Sequence, residues 1–127
     1  MKKIKIIFSS LVFTASLLMS TIAQADNIKI GVSFRMLSDV GYKHGMLIED
    51  TVKMWNSQGG INGKKIDLTL YNDECKSEKG VANATKLAYQ DKVHVIIGSS
   101  CSSVTLPMVP VITKAGVPQI IPHSTSS

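Results

Sequence analysis

Val93-His94-Val95-Ile96-Ile97-Gly98, followed by Ser99-Ser100-Cys101-Ser102-Ser103 (VHVIIGSSCSS, residues 93–103), sets the fold class of this 127-residue chain. The apolar part reads as a short strand of the kind buried inside a parallel sheet covered on both faces. A hydroxyl-rich turn follows it and runs into a helix, with Ser102 or Ser103 as the expected N-cap. In that helix Pro107 belongs near the first turn, whereas Pro110, if it lies deeper, removes a backbone bond and kinks the segment. Gly116 ends it.

Outward from this stretch the pattern alternates between strand and helix. Downstream, residues 118–122 (PQIIP) form a fourth, short strand. Upstream, Ser77 is the expected N-cap of a helix with Val81, Ala84, Thr85 and Ala88 on one face, which Gly80 weakens only slightly. Before it, Ile66, Leu68 and Leu70 mark a strand over residues 65–72, entered through a tight turn at Asn62-Gly63. Ile48, Val52 and Trp55 recur at helical spacing over residues 42–58, and Gly59-Gly60 stops that helix. Residues 27–34 (NIKIGVSF) alternate Ile28, Ile30, Val32 and Phe34 on one side, which makes them the first strand. The order βαβαβαβ implies right-handed crossovers and an α/β, Rossmann-like parallel sheet, with no linker dividing it.

At the N-terminus Lys2, Lys3 and Lys5 precede an apolar and small-residue stretch that ends in Ala23-Gln24-Ala25, with polar Asp26-Asn27 behind it. A charged segment, an apolar segment and a small-x-small site together read as a secretory signal peptide over residues 1–25, cleaved after Ala25. The remaining residues 26–127 carry 11 basic and nine acidic side chains, a net charge of +2, against +5 for the whole chain. No basic stripe remains to recruit nucleic acid. Cys75 and Cys101 are the two cysteines, and in an exported protein a bridge between them is the simplest reading. Two free thiols or a metal pair are the alternatives, although Cys75 has no CxxC partner and His44, His94 and His123 are dispersed along the chain.

In parallel α/β sheets ligands bind beyond the carboxyl ends of the strands. Four segments meet that description: residues 35–41, 73–76, 99–105 and 123–127. The turn at Ser99 to Thr105 offers backbone N–H groups and a helix dipole that favour an anion such as a carboxylate, with serine hydroxyls as neutral donors. His123-Ser124-Thr125 repeats the arrangement after the next strand, where hydroxyls and carbonyl oxygens accept from an ammonium group. Helix capping and an ordinary polar loop account for the same residues without a ligand. A secreted serine hydrolase is the competing class, but its G-x-S-x-G elbow would need glycine where Ser102 stands.

NIKIGVSF, MWNSQGGINGKKIDLTLYNDECKSEKGVANATKL, VHVIIGSSCSSVTLPMVPV and AGVPQIIPHSTS cover nearly all of residues 27–127. With the N-x-x-GGI-NGK run, the D-x-C after the second strand and IGSSCSS after the third, the chain resembles the N-terminal lobe of type I periplasmic binding proteins of the leucine/isoleucine/valine-binding class. The resemblance implies a non-enzymatic, cofactor-free receptor for an amino acid or related small solute, which delivers it to an inner-membrane ABC permease when full length. It implies a Cys75–Cys101 disulfide, a carboxylate contact at Ser102 beside Ser103, and an amino and carboxylate contact at Thr125. A backbone carbonyl contact falls at His123, where relatives often carry a small residue, and the loop after the first strand corresponds loosely to Ser38 through Tyr42. Such receptors have two lobes, and the chain is expected to represent an incomplete first lobe, either as a fragment or as a truncated reading frame. A sensory domain of the same fold, binding without transport, is the remaining alternative.

Overall fold

The computed structural model describes residues 26–36 and 39–125; the expected signal segment at residues 1–25 lies outside them. Strands β1 (Ile28–Phe34), β2 (Ile66–Asn72), β3 (Val95–Gly98) and β4 (Gln119–Ile120) form one sheet in the order β2-β1-β3-β4. Every pairing is parallel, with Val32 of β1 opposite Leu70 on one side and Ile97 on the other. The expected α/β parallel sheet is therefore present.

Helix α1 (Asp39–Ser57) covers one face, while α2 (Ser77–Thr85) and α3 (Ser102–Ala115) pack together on the other. The fully buried apolar cluster, Ala84, Leu87, Val93, Ile96, Val104, Met108 and Ile112, lies under α2 and α3. On the α1 face a cleft of about 360 Å³ runs between Leu47, Ile48 and Trp55 of the helix and Ile30, Leu68 and Ile97 of the sheet.

The link between α1 and β2 explains the N-x-x-GGI-NGK run. The Asn56 side chain accepts from the Ile66 amide at 2.8 Å and donates to the Ile66 carbonyl at 2.9 Å, fastening the end of α1 to the start of β2. Ile61 and Lys64 exchange backbone bonds of 2.8 and 3.0 Å across Asn62 and Gly63. Both turn residues have positive φ, +51° and +78°, as a two-residue hairpin of the primed type requires.

Several boundaries differ from those expected. Helix α1 begins at Asp39 and not at residue 42, so residues 39–41 leave the expected loop. An acidic residue in a first turn suits the helix dipole, a signal that apolar spacing does not carry. The N-caps are Lys76 for α2 and Cys101 for α3, neither with a side-chain capping bond, so Ser77, Ser102 and Ser103 are helical residues and not caps. Their hydroxyl and carbonyl groups are drawn into contacts between segments described below, and those outcompete local capping.

The buried stripe of α2 runs through Gly80 and Ala84 to Leu87, leaving Thr85 exposed. Residues Lys86–Gln90 continue α2 as a π-helical turn, which re-aims Leu87 into the core. Pro107 and Pro110 both lie inside α3, which runs on through them. Strand β4 has only two residues, because Pro118 and Pro122 bring no N–H to a ladder.

Candidate functional site

The strand order places β1 and β3 side by side, and the helices that follow them leave to opposite faces of the sheet. A crevice opens at the carboxyl ends of these two strands, the switch point where doubly wound sheets take their ligands. Its floor is close-packed backbone. Gly98 has φ of +125°, and a Cβ there would collide with the Ser33 carbonyl, so only glycine fits. Gln119 Nε2 donates to the Gly98 carbonyl at 2.6 Å, tying β4 to the end of β3.

Ser102 opens α3, so its hydroxyl stands at the positive end of the helix. It accepts the backbone N–H of Thr125 at 3.1 Å and the Ser124 hydroxyl at 3.0 Å. The loops after β3 and β4, 22 and 23 residues apart at these contacts, thereby meet at one hydroxyl. Thr125 and His123 are exposed, and His123 borders a groove of about 410 Å³. Phe34, Leu47, Ile48, Ile97 and Pro122 form the apolar wall of that groove, and Ser100, His44 and His123 are its polar members.

Ser103 is exposed, and its carbonyl accepts the Ser77 hydroxyl at 2.7 Å. Tyr42 lies in the first turn of α1, but its side chain is outside the described residues, as are Ser38, Ser126 and Ser127. The histidines, dispersed in sequence, are not all dispersed in space, since His44 and His123 line the same groove. Arg35 is exposed.

Cys75 and Cys101 form a disulfide with Cα atoms 5.7 Å apart, joining the loops after β2 and β3. Beside it Glu74 receives Lys79 and Lys76. Hydrogen bonding from Lys79 first and Lys76 second holds the Glu74 carboxyl below its ordinary pKa.

Under these loops lies a polar cluster that pattern reading did not reveal. Asp73, Ser33 and Ser99 are fully buried. Asp73 Oδ2 accepts from Ser99 at 2.6 Å and Ser33 at 3.2 Å, and Oδ1 accepts the Cys75 amide at 2.9 Å. Asn83 Nδ2 in turn donates to the Ser33 hydroxyl at 3.1 Å. The available sequence signal was the aspartate of the D-x-C run, together with a serine on the alternate face of β1. Ser99 lies in the turn considered for a hydrolase, and its hydroxyl donates its hydrogen bond to this carboxylate.

The doubly wound parallel lobe thus brings a helix terminus, a hydroxyl pair and an apolar groove to its switch point. The sequence profile of the periplasmic binding protein family matches residues 27–127, and the chain belongs to that family. A Leu/Ile/Val-binding protein of Escherichia coli is 32% identical over 114 residues, covering 87% of this chain and 31% of the relative. An amino acid binding protein of Pseudomonas aeruginosa is 44% identical over 71 residues, covering 56% of this chain and 19% of that protein. Among solved structures, the branched-chain amino acid transporter substrate binding protein of Streptococcus pneumoniae in complex with isoleucine superposes with a TM-score of 0.74. It shares 31% identity over 80% of this chain and 30% of its own. The chain thus spans a third or less of the length of these relatives.

Proposed function

We propose that residues 26–127 form the first-lobe half of a periplasmic receptor that binds branched-chain or other amino acids in an interlobe cleft for an ABC importer. The observation that carries this reading is the meeting of the Ser102 hydroxyl, at the start of α3, with the Thr125 amide beside an apolar groove. A carboxylate placed there gains the α3 dipole and the hydroxyls of Ser102 and Ser103. The ammonium group, one carbon further on, is received by the Thr125 hydroxyl and the His123 carbonyl. The ligand's side chain enters the groove against Phe34 and Ile97, and Tyr42 is a further ligand contact. The inner-membrane permease is the partner of the full-length receptor, and residues 1–25 are the signal that exports it.

Calorimetry of the receptor that carries this lobe, titrated with leucine, isoleucine and valine, tests the assignment. Ser102→Ala and Thr125→Ala each weaken binding by about 1–3 kcal/mol, the range for a lost bond to a charged group. Unchanged affinity in both variants would remove the site. Intact mass of periplasmic material checks the export signal: the N-terminus is Asp26, and retention of Met1 in that fraction would refute cleavage.

A further inference from the structure

The buried carboxylate of Asp73 lies behind the binding turn and takes no part in the contacts assigned to ligand. No lysine or arginine among the described residues pairs with it. Its surroundings are instead directional. The Cys101 N–H donates to the Ser99 hydroxyl at 3.2 Å, and that hydroxyl donates to Asp73 at 2.6 Å. Ser99 also offers its carbonyl to the Thr105 hydroxyl at 3.1 Å, and Thr105 Oγ1 reaches the Cys101 carbonyl at the same distance. The bonds of Ser99 to Cys101 and Thr105 hold the start and first turn of α3, the turn that presents Ser102, and the bond to Asp73 anchors Ser99 itself.

We propose that Asp73 is a positioning residue for ligand binding: through Ser99 it sets where α3 begins, and so where the Ser102 hydroxyl meets the Thr125 amide. The proposal rests on the ligand site assigned above. A carboxylate is needed because both of its oxygens are occupied by donors. An amide at this position turns a donor towards one of them. Ser99 cannot reverse its bond without loss, because its oxygen already accepts from Cys101 and its proton then lacks an acceptor. Ser33 is in the same position with respect to Asn83, but it lies in β1 and its partner in α2, and it has no such link to α3. The Cys75–Cys101 disulfide joins the same two loops, but it bonds to Cys101 only and leaves Ser99 and Thr105 to the hydrogen-bond chain.

The two serines that donate to Asp73 Oδ2 supply the control. In the receptor that carries this lobe, Asp73→Asn, Ser99→Ala and Ser33→Ala are compared by calorimetry with isoleucine and leucine, at a temperature where each is folded. Backbone exchange of the Thr125 amide is followed by NMR without ligand. Asp73→Asn and Ser99→Ala lower affinity about tenfold or more and speed Thr125 exchange, whereas Ser33→Ala lowers the melting temperature and leaves both readouts near wild type. A purely structural carboxylate predicts that all three variants melt earlier and bind normally while folded; that result overturns the proposal, as does an equal affinity loss in Ser33→Ala. If Asp73→Asn does not fold, the contrast between Ser99→Ala and Ser33→Ala decides. Should the wild-type receptor bind neither amino acid, the ligand reading fails, and Thr125 exchange still tests positioning by itself.

Discussion

The Ser77 hydroxyl donates to the Ser103 carbonyl oxygen at 2.7 Å, joining α2 to α3 at their N-terminal ends. The acceptor is available because Pro107 stands four residues after Ser103 and has no N–H to offer it. Pro110 frees the Leu106 carbonyl in the same way, but Leu106 is 62% exposed and lies on the solvent side. Pro107 thus serves contact with a neighbouring helix, whereas the carbonyl that Pro110 frees belongs to an exposed residue.

Removing the Ser77 hydroxyl therefore costs the bond between the two helices and leaves the Ser103 carbonyl without its α2 donor. Ser77→Ala should lower stability by about 0.5–1.5 kcal/mol. In a Pro107→Ala background the restored N–H competes for Ser103, and the effect of Ser77→Ala should fall to half or less. A double-mutant cycle by chemical denaturation measures the coupling. Equal effects in the two backgrounds would show that the proline and the serine act independently.

Gly80 sits where α2 packs on α3, and an added Cβ would overlap the Val104 side chain and press on Met108. Alanine has the better helix propensity by about 1 kcal/mol, yet overpacking a closed core costs about 1–3 kcal/mol. The net expectation for Gly80→Ala is destabilisation, read from the denaturation midpoint. A more stable variant would mean that Val104 and Met108 repack without strain.

The disulfide closes a loop across a sequence separation of 26 residues. In the chain-entropy account a loop of that size stabilises the fold by about 3.5 kcal/mol. Replacing Cys75 and Cys101 together by alanine should lower stability by that order. The double variant should keep the Asp73 hydrogen bonds, which involve no sulfur. Thiol labelling under denaturing, non-reducing conditions checks the bridge itself, and two reactive thiols would refute it.

Much of the fold was legible because its signals are local. Alternation in NIKIGVSF, the apolar run VHVIIG and the paired glycines after Ser57 each report a backbone state within a few residues. The helix ends were less legible. Ser77 and Ser102 have the chemistry of caps, but better partners from distant segments claimed their hydroxyls, Ser103 for one and Thr125 for the other. The π-helical turn at Lys86–Gln90 left no mark in the spacing, since it answers to where Leu87 must be buried.

By itself, then, the sequence determined the alternation of elements, the parallel sheet that alternation implies and the segments that end at its carboxyl edge. It also carried the family motifs. The strand order β2-β1-β3-β4, and with it the crevice between β1 and β3, was decided by tertiary structure alone. So were the placing of His44 and His123 along one groove and the burial of Asp73 beneath the binding turn. Periodicity reports which way a residue faces on its own element, whereas these relations depend on which elements become neighbours. That choice is made by summed burial and hydrogen bonding across the chain, and no short stretch of sequence contains it.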